Sequence, residues 1–182
     1  MNRIILPVII LLLLSATTPP NSIYTYSVPK IEGGTQQLST MQGKRLLVIV
    51  LPVQQTASAD TLLYCLDTLA AVHNTTLNVI GVPAYEDGFT PAQKSALTTW
   101  YRSKLNSNII ITDGLYTRKT SGSQQHGLFQ WFTDDNLNGI FNTDITGPGH
   151  KFFVNASGDL YSEQGPPSKI SGYSVQRALQ MQ

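Results

Sequence analysis

Apolar residues recur along this chain with two different periods. Short runs in which nearly every position is apolar, such as LLVIVL at 46–51 and TLNVIGVP at 76–83, alternate with longer stretches in which apolar residues return every three or four positions. The first kind suits strands buried on both faces, and the second suits helices with one buried stripe. Their alternation predicts an α/β domain.

The elements follow in order. SIYTYSVPKIEGG, residues 22–34, predicts an edge strand or hairpin turning at Gly33 and Gly34. LLVIVL predicts a central parallel strand. Residues 58–73 place Leu62, Cys65, Leu66, Leu69 and Val72 on one helical face, with Ser58 or Thr56 as the candidate N-cap. TLNVIGVP predicts a second parallel strand. Thr90, Pro91, Ala92 and Gln93 read as a capping box with proline at the first helical position, opening a helix that carries Leu97, Trp100, Tyr101 and Leu105. NIIITDG, residues 108–114, predicts a third strand and HGLFQWF, residues 126–132, a short helix. FFVN and DLYS flank Ala156, Ser157 and Gly158 as an antiparallel hairpin, and Ser171 can cap a last helix running through Leu179. The order β-α-β-α-β-α-β-β-α contains the βαβ plus ββα pattern of a thioredoxin-like fold: a central mixed sheet flanked by helices, with an N-terminal strand or hairpin extension.

The first residues stand apart from this pattern. Arg3 precedes the apolar run IILPVIILLLL at 4–14, and the small polar residues SATTPP follow, an arrangement that predicts an export signal. Eleven residues of helix rise about 16 Å, roughly half the hydrocarbon thickness of a bilayer. A spanning anchor or a buried N-terminal segment is therefore the alternative. The division predicted is 1–21 as signal peptide or N-terminal apolar segment and 22–182 as one domain. Export to a periplasm or secretion is the expected localisation, with membrane association through the apolar segment as the variant reading. No cysteine follows the apolar run, so a lipoprotein anchor lacks its thiol.

Lys and Arg number 12 against 11 Asp and Glu, and the leader takes Arg3, so a mature chain balances its charges. A neutral surface argues against nucleic acid or anionic lipid as partner. The only cysteine is Cys65, which excludes an intramolecular disulfide framework and a CxxC redox couple. No cofactor and no metal site is expected. His73, His126 and His150 lack metal-ligand spacing; His73 falls at a predicted helix end, where it complements the dipole. Asp134 to Gly139 matches the first half of a calcium loop, but its twelfth position is Ile145 rather than glutamate, so a polar turn is expected. Trp100 and Trp131 fall on helical apolar stripes and read as core. Arg118 and Lys119 read as a solvated loop rather than an anion site. Asn74 and Asn155 open glycosylation sequons.

SIYTYSVPKIEGG, QGKRLLVIV, NVIGVP, HGLFQWFT…NG and KFFVNASGDL resemble, in order and spacing, segments of the glutathione peroxidase family, across nearly the whole predicted domain. The resemblance implies a thioredoxin-like fold and peroxide reduction by a cysteine or selenocysteine placed after the first central strand. A glutamine after the second strand and a tryptophan-asparagine pair before the late strand would assist it. In the register these segments set, Gln55 occupies the nucleophile's place, Glu86 lies at or beside the glutamine, and Gly147 and Pro148 replace tryptophan and asparagine. A carboxamide cannot attack a peroxide or cycle through a sulfenic acid, a carboxylate disfavours a neighbouring thiolate, and Gly147 and Pro148 offer no side-chain donor.

The reading that follows is a glutathione-peroxidase-like binding or structural module with an unidentified protein partner or small ligand. The shallow polar surface over Gln54, Gln55, Glu86 and Pro148 is its expected docking face. The alternative is a weak thiol-dependent peroxidase using Cys65, the only possible thiol. On the residue pattern, Cys65 reads instead as a buried structural cysteine.

Overall fold

The computed structural model of the protein describes residues 22–181. The predicted signal segment lies outside the described residues.

A 3-10 turn at Ile23–Thr25 leads into β1 (Ser27–Pro29) and β2 (Thr35–Gln37), which pair antiparallel. Their connection turns at Gly33 and Gly34, both with positive φ, the backbone conformation for which glycine has no steric penalty. The chain then runs through β3 (Arg45–Leu51), α1 (Ala57–Val72), β4 (Leu77–Pro83), α2 (Lys94–Lys104), β5 (Ile109–Ile111), α3 (Gly127–Thr133), the single turn α4 (Asp135–Asn138), β6 (Lys151–Val154), β7 (Leu160–Gln164) and α5 (Tyr173–Gln180). Five strands form one mixed sheet in the order β5-β4-β3-β6-β7. β3 is central, parallel to β4 and antiparallel to β6. The β1–β2 hairpin docks on the β5 edge, where the Ile31 N–H donates to the Ile111 carbonyl at 2.9 Å and the Asp113 N–H to the Pro29 carbonyl at 2.9 Å.

Strand side chains alternate faces, so the uninterrupted apolar run of β3 feeds two cores. Leu47, Ile49 and Leu51 meet α1, α2 and α5 on one side. Leu46, Val48 and Val50 meet Leu128, Phe129 and Phe132 of α3 on the other. Phe132 stacks on Phe152 of β6 at a centroid distance of 4.3 Å. Trp100 and Trp131 are core residues, 6% and 1% exposed, as their stripes predict.

Three local expectations change. The buried stripe of α1 is Ala59, Leu63, Leu66, Leu69 and Ala70, rotated from the predicted one. Leu63 is fully buried while Val72, in the last turn, is 71% exposed. The Leu62-Leu63 and Leu69-Ala70 pairs leave the stripe ambiguous in sequence, and only contact with the sheet selects its centre. The capping box at 90–93 does not form: the Thr90 hydroxyl donates to Gln93 Oε1 at 3.0 Å, and residues Pro91–Gln93 make a 3-10 turn ahead of α2. At the last helix Gly172, not Ser171, is the N-cap, with no side-chain bond.

Candidate functional site

β3 ends at Leu51, and residues 52–56 turn the chain into α1. The turn is held from both sides. Thr56 caps α1, its hydroxyl accepting the Ala59 N–H at 3.1 Å, and the buried Tyr101 hydroxyl donates to the Pro52 carbonyl at 2.8 Å. Burial raises the Tyr101 pKa above that of free tyrosine, so this hydroxyl stays a donor. Gln54 and Gln55 are exposed on the outside of the turn. Gln55 forms no side-chain hydrogen bond among the described residues.

The end of β4 faces a different task. Glu86 does not project toward the Gln55 turn as a free carboxylate. Its Oε1 accepts the backbone N–H groups of Thr117 and Arg118, each at 2.8 Å, and the Ser121 hydroxyl at 2.6 Å. The charge therefore organises the loop that follows β5. Next to it Asp87 pairs with Arg118. The Asp87 side chain is 8% exposed, and burial raises its carboxyl pKa against the opposing pull of the Arg118 guanidinium. Gly147 backs this pair: a Cβ built there would lie 3.7 Å from Arg118 Nη2 and 4.0 Å from Asp87 Oδ1. Gly147 is buried and Pro148 exposed. Arg118 thus belongs to a largely buried ion pair, contrary to the solvated loop expected of it, while Lys119 donates to Asn142 Oδ1 at 2.5 Å. Five clefts of about 370–630 Å³ on the described surface are lined by residues other than Gln54, Gln55, Glu86 and Pro148.

Cys65 is half-buried rather than buried, a correction that follows from the rotated α1 stripe. It is a free thiol on the wall of a cleft of about 550 Å³ between α1 and the loop at 165–171. The same cleft is lined by Lys151, which the sequence reading passed over. Lys151 is 1% exposed, and its ammonium donates to the carbonyls of Gly165 at 3.1 Å and Ser168 at 2.6 Å. Burial pushes its pKa down to about 8. One signal was available: a lysine opening the otherwise apolar run KFFV, with β6 next to the central strand. On the opposite face of β6, His150 Nε2 lies 2.7 Å from Glu163 Oε1.

The remaining candidates have structural partners. His73 is the C-cap of α1, as its position predicts. His126 caps α3, its Nδ1 accepting the Leu128 N–H at 3.3 Å, and burial lowers its pKa. The Asp134–Gly139 turn is organised by Asn138, whose amide donates to the carbonyls of Trp131 and Phe141 while its oxygen accepts the N–H groups of Ile140 and Phe141. Among the described residues no three His, Cys, Asp or Glu side chains are grouped to hold a metal. No described helix is long and apolar enough to cross a membrane. Asn74 is exposed, whereas the Asn155 amide donates to Asp159 at 3.0 Å inside the β6–β7 turn.

No family model matches the sequence, and no curated protein does. Solved structures do match. The protein is similar to a crystal structure of Trgpx in apo form, with a TM-score of 0.64 at 14% identity over 88% of this chain and 95% of that one. It is similar to T. cruzi GPX1, with a TM-score of 0.60 at 17% identity over 86% and 94%. It is also similar to MTB dsbF in its mixed oxidized and reduced forms, with a TM-score of 0.57 at 14% identity over 89% and 98%. At these identities the likeness speaks to the fold, and the mixed five-stranded sheet with helices on both faces is thioredoxin-like.

Proposed function

We propose that the protein is an exported, glutathione-peroxidase-like module that does not reduce peroxide at the family's position and acts by binding a partner or ligand, or in a structural role. The observation that carries this reading is Gln55: an exposed carboxamide one residue before the N-cap of α1, where the family resemblance puts a sulfur or selenium nucleophile. An amide nitrogen carries no lone pair available to attack an O–O bond, and nothing between residues 45 and 61 is a cysteine. Two further features support it. The Glu86 carboxylate is engaged by the 117–121 loop, and Gly147 brings no donor.

Cys65 favours a second reading, a thiol peroxidase with a relocated nucleophile, because it lines a cleft. It is the ninth residue of α1, about 12 Å along the axis from the helix start, beyond the first turn in which the dipole stabilises a thiolate.

Peroxide consumption by the purified protein separates the two. Hydrogen peroxide and an organic hydroperoxide are offered with glutathione and thioredoxin systems as electron donors, beside Cys65→Ser. The expected result is no turnover above the variant; turnover that disappears in Cys65→Ser overturns the non-catalytic reading. Cell fractionation with N-terminal sequencing tests export, for which retention in the cytosol with an intact Met1 is the contrary outcome.

A further inference from the structure

We propose that the cleft between α1 and the 165–171 loop is a binding site for a small organic monocarboxylate, with Lys151 holding the carboxylate and Leu62, Cys65 and Ile170 enclosing an apolar body. The site is separate from the Gln55 turn and independent of the outcome of the peroxide test.

Lys151 is the anchor of this inference. An ammonium carries three N–H donors. Two go to the carbonyls of Gly165 and Ser168, and the third has no acceptor among the described residues. A buried cation with an unused donor is a costly arrangement, and an anionic oxygen in the adjoining cleft relieves it. Among the described residues no carboxylate hydrogen-bonds the ammonium, and Glu163 reaches it only through its field. Asp60 of α1 is engaged by Trp100 and Lys104, and Asp67 by Asn106. Glu163 of β7 pairs with His150; it sits opposite Phe152 in the β6–β7 register, on the other face of the sheet. No acidic residue lines the cleft, and its second charged residue is another cation, the exposed Lys169. The negative charge must therefore come from the ligand.

The walls define the rest of the molecule. Leu62 and Cys65 lie on the α1 side, and buried Ile170 on the loop side. A volume of about 550 Å³ falls in the range of small-molecule sites. One ammonium is a point charge suited to a single carboxylate rather than to an extended polyanion. The apolar walls favour an aliphatic or aromatic tail.

The test uses hexanoate and benzoate as probes and hexanol and benzyl alcohol as uncharged counterparts. Each is titrated against the purified protein while alkylation of Cys65 by N-ethylmaleimide is followed by mass spectrometry and melting by calorimetry. A carboxylate of this size should bind with a Kd on the order of 1 mM. The expected result is saturable protection of Cys65 and a raised Tm with the carboxylates, with the alcohols weaker by about tenfold, the loss of one charge-assisted bond. Lys151→Met should erase the difference between acid and alcohol. Leu62→Trp, which narrows the cleft without touching the lysine, should abolish protection in a folded protein and keeps the test open if Lys151→Met fails to fold. Equal binding of acids and alcohols, no effect of either carboxylate at about ten times the stated Kd, or undiminished binding in folded Leu62→Trp would each overturn the proposal.

Discussion

The carboxylate of Glu86 accepts the backbone N–H of Arg118 at 2.8 Å, fixing the loop beyond β5 to the end of β4. The same loop brings the Arg118 side chain back to Asp87. At the position where the family resemblance would put an amide donor for peroxide chemistry, this chain has a loop anchor.

That anchor should be measurable as stability. Glu86→Ala removes the acceptor of two backbone N–H groups and the Ser121 hydroxyl, leaving partly buried donors unpaired, and should cost about 2–3 kcal/mol in urea denaturation. Glu86→Gln keeps one acceptor oxygen and should cost less than Glu86→Ala. A Glu86→Ala protein as stable as the parent would show that water replaces the carboxylate without loss.

Placing a thiol at the helix entrance separates nucleophile from site. Gln55→Cys puts sulfur on an exposed turn beside the capped start of α1, where the dipole lowers a thiol's pKa. It should be alkylated at least about tenfold faster than Cys65. Peroxide turnover should nevertheless stay at the level of a simple exposed thiol, because Gly147 and Glu86 do not supply donors to the departing oxygen. Rapid turnover in Gln55→Cys would mean that the rest of the peroxidase site is intact.

Lys151 makes stability depend on pH in a defined direction. Its ammonium pKa is pushed from 10.5 down to about 8 by burial, so between these values the unfolded chain holds more protons than the folded one. Stability therefore rises with pH through this window as the buried amine becomes neutral. Urea unfolding of the parent and Lys151→Met at about pH 7, 8.5 and 10 isolates the effect, since other titrations cancel in the difference. The difference should move in favour of the parent as pH rises; a flat or opposite trend would contradict the burial of a charged Lys151.

The sheet under the candidate site tolerates no bulk at Gly81. A Cβ there would lie 2.6 Å from Leu51 Cδ1 and 2.9 Å from its Cγ, so Gly81→Ala forces either the β3 side chain or the strand spacing to yield. The cost should be about 1–3 kcal/mol by thermal or urea unfolding. Combining Gly81→Ala with Leu51→Val should recover part of the loss if the clash is the cause, and none of it if the backbone of β4 is strained instead.

Much of this molecule is legible along the chain because its signals are local. The double-sided apolar run of β3, the turn at Gly33-Gly34, the β6–β7 hairpin around Gly158 and the helical stripes of α2 and α3 each express a preference that acts within a few residues. The α1 stripe was misplaced because Leu62-Leu63 and Leu69-Ala70 permit two stripes differing by one position, and the sheet chooses between them. The capping box at 90–93 and the Ser171 cap do not form for a related reason: a cap depends on where the preceding backbone points, which the 3-10 turn at 91–93 and Gly172 decide.

The candidate chemistry divides along the same line. The residue types and their order alone determined that the helix entrance carries Gln55, that the chain owns one thiol, and that its net charge is only +1, because these are facts of composition and position. Only the tertiary structure decided that Glu86 binds a loop some thirty residues away, that Arg118 is paired, and that Cys65 and Lys151 share one cleft. Those two residues are separated by more than half of the described chain, and the packing of α1 in the core that also takes Phe153 of β6 is what brings them together. Hydrogen bonds and desolvation act over a few ångströms of space and carry no trace of sequence distance, so the groups they unite become visible only when the chain is folded.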